Sequence, residues 1–86
     1  IVPLTSRLMP SVTTLIVGLD NALFAGTIGG GVFRSDDDGL TWRRVLGDER
    51  GFPSSVLRVN HLIREQTAIF AATDAGIYRS LSNGLS

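Results

Sequence analysis

The chain has 86 residues, near the size at which a single hydrophobic core becomes marginal, and so allows one small domain at most. Its eight arginines, with no lysine, balance eight acidic residues to a formal net charge of zero, which leaves no electrostatic footprint for nucleic acid or an anionic membrane. With no cysteine there is neither a disulfide framework nor a thiolate metal site, and apolar runs such as Leu15-Ile16-Val17 are far too short to span a bilayer.

In chain order, IVPLTSRLMP at the start lacks the charged flank and long apolar stretch of a secretory signal. Val12 to Val17 is apolar and β-branched and reads as a strand, with Leu19-Asp20-Asn21 turning it. Ala22 to Thr27 is a second strand, and Gly29-Gly30-Gly31 turns it. Val32 to Ser35 is a third, Asp36 to Gly39 turns that, and Leu40 to Leu46 is a fourth. Gly47 to Pro53 is a crossing loop, after which strands are expected at Val56 to Ile63, Ala68 to Thr73 and Gly76 to Ser80. No stretch carries a helical period with caps.

The order of these strands reflects an internal repeat. Laid over each other, FAGTIGGGVFRSDDDGLT and FAATDAGIYRSLSNGLS set Phe24 on Phe70, Ala25 on Ala71 and Thr27 on Thr73. After a one-residue gap, Val32 falls on Ile77, Phe33 on Tyr78, Arg34 on Arg79, Ser35 on Ser80 and Gly39 on Gly84. Upstream, Met9 to Val12 sets more weakly against Phe52 to Val56. The chain therefore divides into repeats at 1–46 and 47–86, close to the ~40–50 residues of one β-propeller blade. The expected fold is all-β, with antiparallel four-stranded blades, the second stopping short of its last strand.

Within the first repeat, Ser35, Asp37, Gly39, Thr41 and Trp42 spell Ser-x-Asp-x-Gly-x-Thr-Trp. This resembles the Asp-box of the sialidase-type (BNR) and sortilin-type β-propellers, at the turn between a third and a fourth strand. The second repeat holds a degenerate form, with Ser80, Ser82, Gly84 and Ser86, in which Ser82 replaces the aspartate. The resemblance implies a structural box on the rim, away from any channel site. Turn physics alone supports the same role: an aspartate there accepts backbone N–H groups, glycine relieves the backbone, and tryptophan buries apolar area between adjacent sheets. Calcium is the competing reading of Asp36-Asp37-Asp38, but an alternating acidic loop with a distal glutamate is not present.

Other candidates are weaker. Gly26 to Gly31 lacks the Gly-Lys-Ser/Thr ending and opens no helix, so a hairpin turn is favoured over a phosphate loop. His61, the sole histidine, reads as a strand residue at a sheet surface; Ser54 and Ser55 stand in no G-x-S-x-G context. Glycoside hydrolysis needs two carboxyls facing a sugar, whereas Asp20, Glu65 and Asp74 fall at expected turns. Arg34 and Arg79 hold matching strand positions, Tyr78 replaces Phe33 as a core aromatic, and the Arg43, Arg44 and Arg50 patch is offset by Asp48 and Glu49. No catalytic residue, cofactor or metal site is assigned.

Two blades leave apolar flanks that need neighbours, so other blades are the expected partners, supplied by a longer chain or by further copies closing a ring. The leading expectation is a non-catalytic scaffold or binding module for a protein or glycan, as in sortilin-like receptors and photosystem assembly factors of this repeat type. A piece of a xyloglucanase-like or sialidase-like hydrolase is the alternative. A small lectin is a third, which would repeat aromatic positions at the blade junctions. The compartment is not specified by the sequence.

Overall fold

The computed structural model describes residues 11–46 and 58–81. They form two antiparallel sheets. Strands β1 (Val12–Val17), β2 (Leu23–Thr27), β3 (Val32–Ser35) and β4 (Arg43–Leu46) lie in sequence order in the first, and β5 (Val59–Glu65), β6 (Ala68–Thr73) and β7 (Gly76–Ser80) in the second. The described residues are thus all-β, with one short 3-10 turn at Leu19–Asn21.

The connections are tight because their residues suit tight turns. Asp20 (φ 58°) and Asn21 (φ 61°) adopt the left-handed region, where short polar side chains are tolerated, and Gly18 N–H closes on Ala22 O at 2.7 Å. At the next turn Thr27 Oγ1 donates to Gly31 O at 2.7 Å and accepts Gly30 N–H at 3.1 Å. Thr73 does the same for the β6–β7 turn, donating to Gly76 O at 2.8 Å and accepting Ala75 N–H at 3.1 Å. The glycine run after Thr27 is therefore a hairpin leading into a strand, as the sequence suggests.

The two sheets share one register. Phe24 lies opposite Arg34, Ala25 opposite Phe33 and Leu23 opposite Ser35; correspondingly Phe70 lies opposite Arg79, Ala71 opposite Tyr78 and Ile69 opposite Ser80. Each first strand carries a bulge at the same place, between Val12 and Thr14 in β1 and between Val59 and His61 in β5. This register corrects the weak upstream alignment. Val12 pairs with Thr27 and Val59 with Thr73, so Val12 corresponds to Val59 and not to Val56. Of the expected strand from Val56 to Ile63, Val56 and Leu57 lie outside the described residues; β5 runs from Val59 to Glu65, which places Glu65 at a strand end and not in a turn.

The sheets pack through β5, which lies against β1 and β2. The core holds Ala22, Phe24, Val32, Val59, Leu62, Ile69 and Ala71, with Ile16, Val45 and Leu46 leaning on it. Phe24 and Val59 are fully buried, each contributing about 1.5–3 kcal/mol by removing its side chain from water. Gly26 is what lets the sheets approach: a Cβ there would stand 2.7 Å from both Thr14 Cγ2 and Val59 Cγ1. Beside it Thr13 Oγ1 donates across the gap to Val59 O at 2.7 Å.

Candidate functional site

The turn between β3 and β4 brings all five signature residues into one hydrogen-bonded knot. Ser35 ends β3 with its hydroxyl buried under the turn. Its Oγ donates to Asp37 Oδ1 (2.9 Å) and accepts the N–H groups of Gly39 (2.9 Å) and Asp37 (3.4 Å). Asp37 then binds Thr41 twice, accepting its backbone N–H on Oδ1 (2.8 Å) and its hydroxyl on Oδ2 (2.5 Å). Leu40 N–H closes on Asp37 O at 3.3 Å, and the Trp42 indole N–H donates to Gly39 O at 2.9 Å. Asp38 (φ 61°) and Gly39 (φ 90°) supply the left-handed backbone that folds the loop back on itself.

One sequence expectation is made specific and two change. The backbone donor that Asp37 takes is four residues on, at Thr41, while the serine hydroxyl serves Gly39. The fourth strand begins at Arg43 and not at Leu40, because Leu40 and Thr41 give their N–H groups to Asp37 and cannot also join the ladder with β3. Trp42 is half-buried against its own turn and does not belong to the core cluster between the sheets.

Electrostatically, the Thr41 hydroxyl holds the Asp37 carboxyl below its ordinary range, helped by the Thr41 amide and the Ser35 hydroxyl and opposed by burial. Asp36 is engaged elsewhere: Arg34 reaches its Oδ1 with Nε (2.9 Å) and a terminal nitrogen (2.8 Å), and Arg43 stands 3.8 Å from Oδ2. Arg34 also lies over the Phe24 ring at 5.6 Å, so its guanidinium ties the turn to the core. The acidic run is thus divided between two structural duties. Among the described residues no group of three or more His, Cys, Asp or Glu side chains gathers.

In the second sheet Ser80 takes the register place of Ser35, while Ser82, Gly84 and Ser86 lie outside the described residues. His61 sits exposed in β5 opposite Ala72. Asp74 pairs with Arg58 Nε at 3.3 Å and accepts Asn60 Nδ2 at 2.9 Å, an ion pair and hydrogen bond that fasten the β6–β7 turn to the start of β5. Asp20 lies in its 3-10 turn and Glu65 at the end of β5, apart from the Asp-rich loop in the chain. Arg43 and Arg44 are exposed on β4, with Arg44 over the Phe33 ring at 5.4 Å; Arg50, Asp48 and Glu49 lie outside the described residues. Tyr78 is half-buried opposite Ala71. Sequence reasoning missed the Arg34–Asp36 pair and the Thr13–Val59 bond, of which only the first had a local signal, in the two-residue spacing. No helix among the described residues is long and apolar enough to cross a membrane. No family model, curated protein or solved structure matches this chain.

Proposed function

We infer that the chain comprises two consecutive Asp-box-type propeller blades and works as a non-catalytic scaffold that presents its turns and loops to a protein or glycan. The observation that carries this reading is the closed network of Ser35, Asp37, Gly39, Thr41 and Trp42. It stands at the turn from a third to a fourth strand, and a second sheet repeats the same register. In this reading the aspartates hold a turn. Asp37 has both oxygens occupied and a carboxyl held below its ordinary range, the reverse of what a general acid requires.

The test is to incubate the chain with xyloglucan and with a fluorogenic sialoside, and to screen it on a glycan array and against acidic and basic peptides. Saturable binding without turnover is the expected result. Hydrolysis that disappears on substituting Asp20, Glu65 or Asp74 by its amide would replace the scaffold with a glycosidase. Binding that persists unchanged in a chain unfolded by denaturant would remove the need for blades altogether.

A further inference from the structure

The two sheets meet through unlike faces, and each leaves apolar side chains exposed on its other face, although Ala25, Thr27 and Ser35 on the outer side of the first sheet are buried. Residues paired across strands share a face, so the registers assign each paired strand residue to a side. The four-stranded sheet turns Ile16, Phe24 and Val32 inward and Val12, Leu15 and Phe33 outward. The three-stranded sheet turns Val59, Leu62 and Ala71 inward and Ile63, Phe70 and Ile77 outward.

The shared register then matches these faces in a crossed way. Ile16, Phe24 and Val32, inward in the first sheet, correspond to Ile63, Phe70 and Ile77, outward in the second. Val59 and Leu62, inward in the second sheet, correspond to Val12 and Leu15, outward in the first. Exposure follows the crossing. Val59 is 0% exposed and Val12 43%; Leu62 is 2% and Leu15 59%; Val32 is 3% and Ile77 75%. Three side chains that close the joint within the chain thus have exposed counterparts, Val12 and Leu15 on one outer face and Ile77 on the other, while Phe70, the counterpart of Phe24, is half-buried and Ala25, the counterpart of Ala71, is buried. Such apolar surface on both ends of a small molecule marks an association site.

We propose that a second copy of this chain covers these faces head to tail. The Ile63–Phe70–Ile77 face of one copy packs on the Val12–Leu15–Phe33 face of the next, continuing the joint already present between the two sheets. The proposal rests on reading the sheets as equivalent repeats. It names the occupant because the internal joint supplies the template: each free face is the counterpart of a face that already has a fitted partner. Asn60 stands where Thr13 stands in the first sheet, but its Nδ2 donates to Asp74 Oδ1 within the chain, so the Thr13–Val59 bond has no assigned counterpart in the new joint. Several positions depart from the template: Gly26 corresponds to Ala72 and its cross-strand neighbour Thr14 to His61, bulkier side chains that hold the new joint wider and make it weaker than the internal one. An interface of unlike faces is heterologous, and it closes into a ring or grows open according to the rotation between copies.

The experiment is native mass spectrometry and light scattering on the 86-residue chain and two variants, Leu15→Glu and Ile77→Glu, at exposed positions that leave the core untouched. The wild type is expected to run as a multi-copy assembly and each variant alone as a monomer. Mixed in equal amounts, the variants are expected to give a species of two chains, because each retains the face the other has lost. A monomeric wild type would overturn the proposal, and so would a mixture that stays monomeric, since like-to-like pairing cannot be rescued by mixing. Val12→Lys with Ile63→Lys repeats the test with independent side chains if either glutamate variant loses its far-ultraviolet β signature. A chain that stays monomeric yet keeps the shared register in its cross-strand nuclear Overhauser contacts loses the association but keeps the repeat reading; loss of that register loses both.

Discussion

Ser35 is the residue on which the β3–β4 turn depends most, although the aspartates beside it draw the eye. Its hydroxyl is buried and serves three partners, whereas Asp38 is exposed and contributes its backbone conformation. Ser35→Ala leaves the buried Gly39 N–H without its acceptor, so the expected loss is about 1–3 kcal/mol by denaturant titration. A loss no larger than that of an exposed serine would show that water replaces the hydroxyl. Asp37 gives a pH signature instead. Its folded carboxyl titrates below the ordinary aspartate range, so its stabilising effect is fully present above the unfolded pKa of about 3.9 and is lost as pH falls through the lower folded value. The Asp37→Asn variant is therefore expected to melt below the wild type at neutral pH, with the two melting temperatures converging in acid. A constant gap down to the acid limit would remove the charge from the account.

At the scale of the elements, the joint between the sheets turns on a missing side chain. Gly26 has no positive φ to explain it; it is glycine because Val59 occupies the space a methyl would take. Gly26→Ala is expected to cost about 1–3 kcal/mol, the usual range for an overpacked core, and to shift the amide signals of β1 and β5 together. A neutral effect would mean that the sheets slide apart without cost. Here the sequence was informative about some things and silent about others. Strands at Val12–Val17, Val32–Ser35, Ala68–Thr73 and Gly76–Ser80 were legible to the residue, because each is apolar or β-branched between polar or turn-forming residues. The start of β4 was not, because Leu40-Thr41-Trp42 has strand composition while the Leu40 and Thr41 N–H groups are claimed by Asp37, a competition that composition does not reveal. For β5 the expected start at Val56 lies outside the described residues, and its end at Glu65 was missed because Arg64 and Glu65 are exposed polar residues that the strand's composition does not announce. The five signature residues were found through the resemblance of their motif to the Asp-box; their wiring, with serine and not aspartate under the glycine, required coordinates.

For the whole molecule, the question is whether two sheets of unequal size melt as one. Neither has its own closed core: Phe24 and Val32 of the first and Val59, Leu62, Ile69 and Ala71 of the second belong to a single cluster. Removing either sheet exposes the inner face of the other, so separate melting would leave about 1.5–3 kcal/mol unsatisfied for each large side chain uncovered. The Thr13–Val59 bond and the Ile28–Arg58 bridge cross between the repeats and add to that coupling. Trp42 reports on the four-stranded sheet by fluorescence, and the Ile69 and Ala71 methyl signals report on the three-stranded one. In the Leu15→Glu background, where association is removed, both probes are expected to give the same urea midpoint. Val59→Ala, which hollows the joint from one side, is expected to lower both midpoints equally. Were the midpoints to separate, with Val59→Ala moving only the methyl signals, each sheet would be an independent unit. The single cluster would then be two cores in contact, and the head-to-tail joint between copies would have no cooperative counterpart inside the chain.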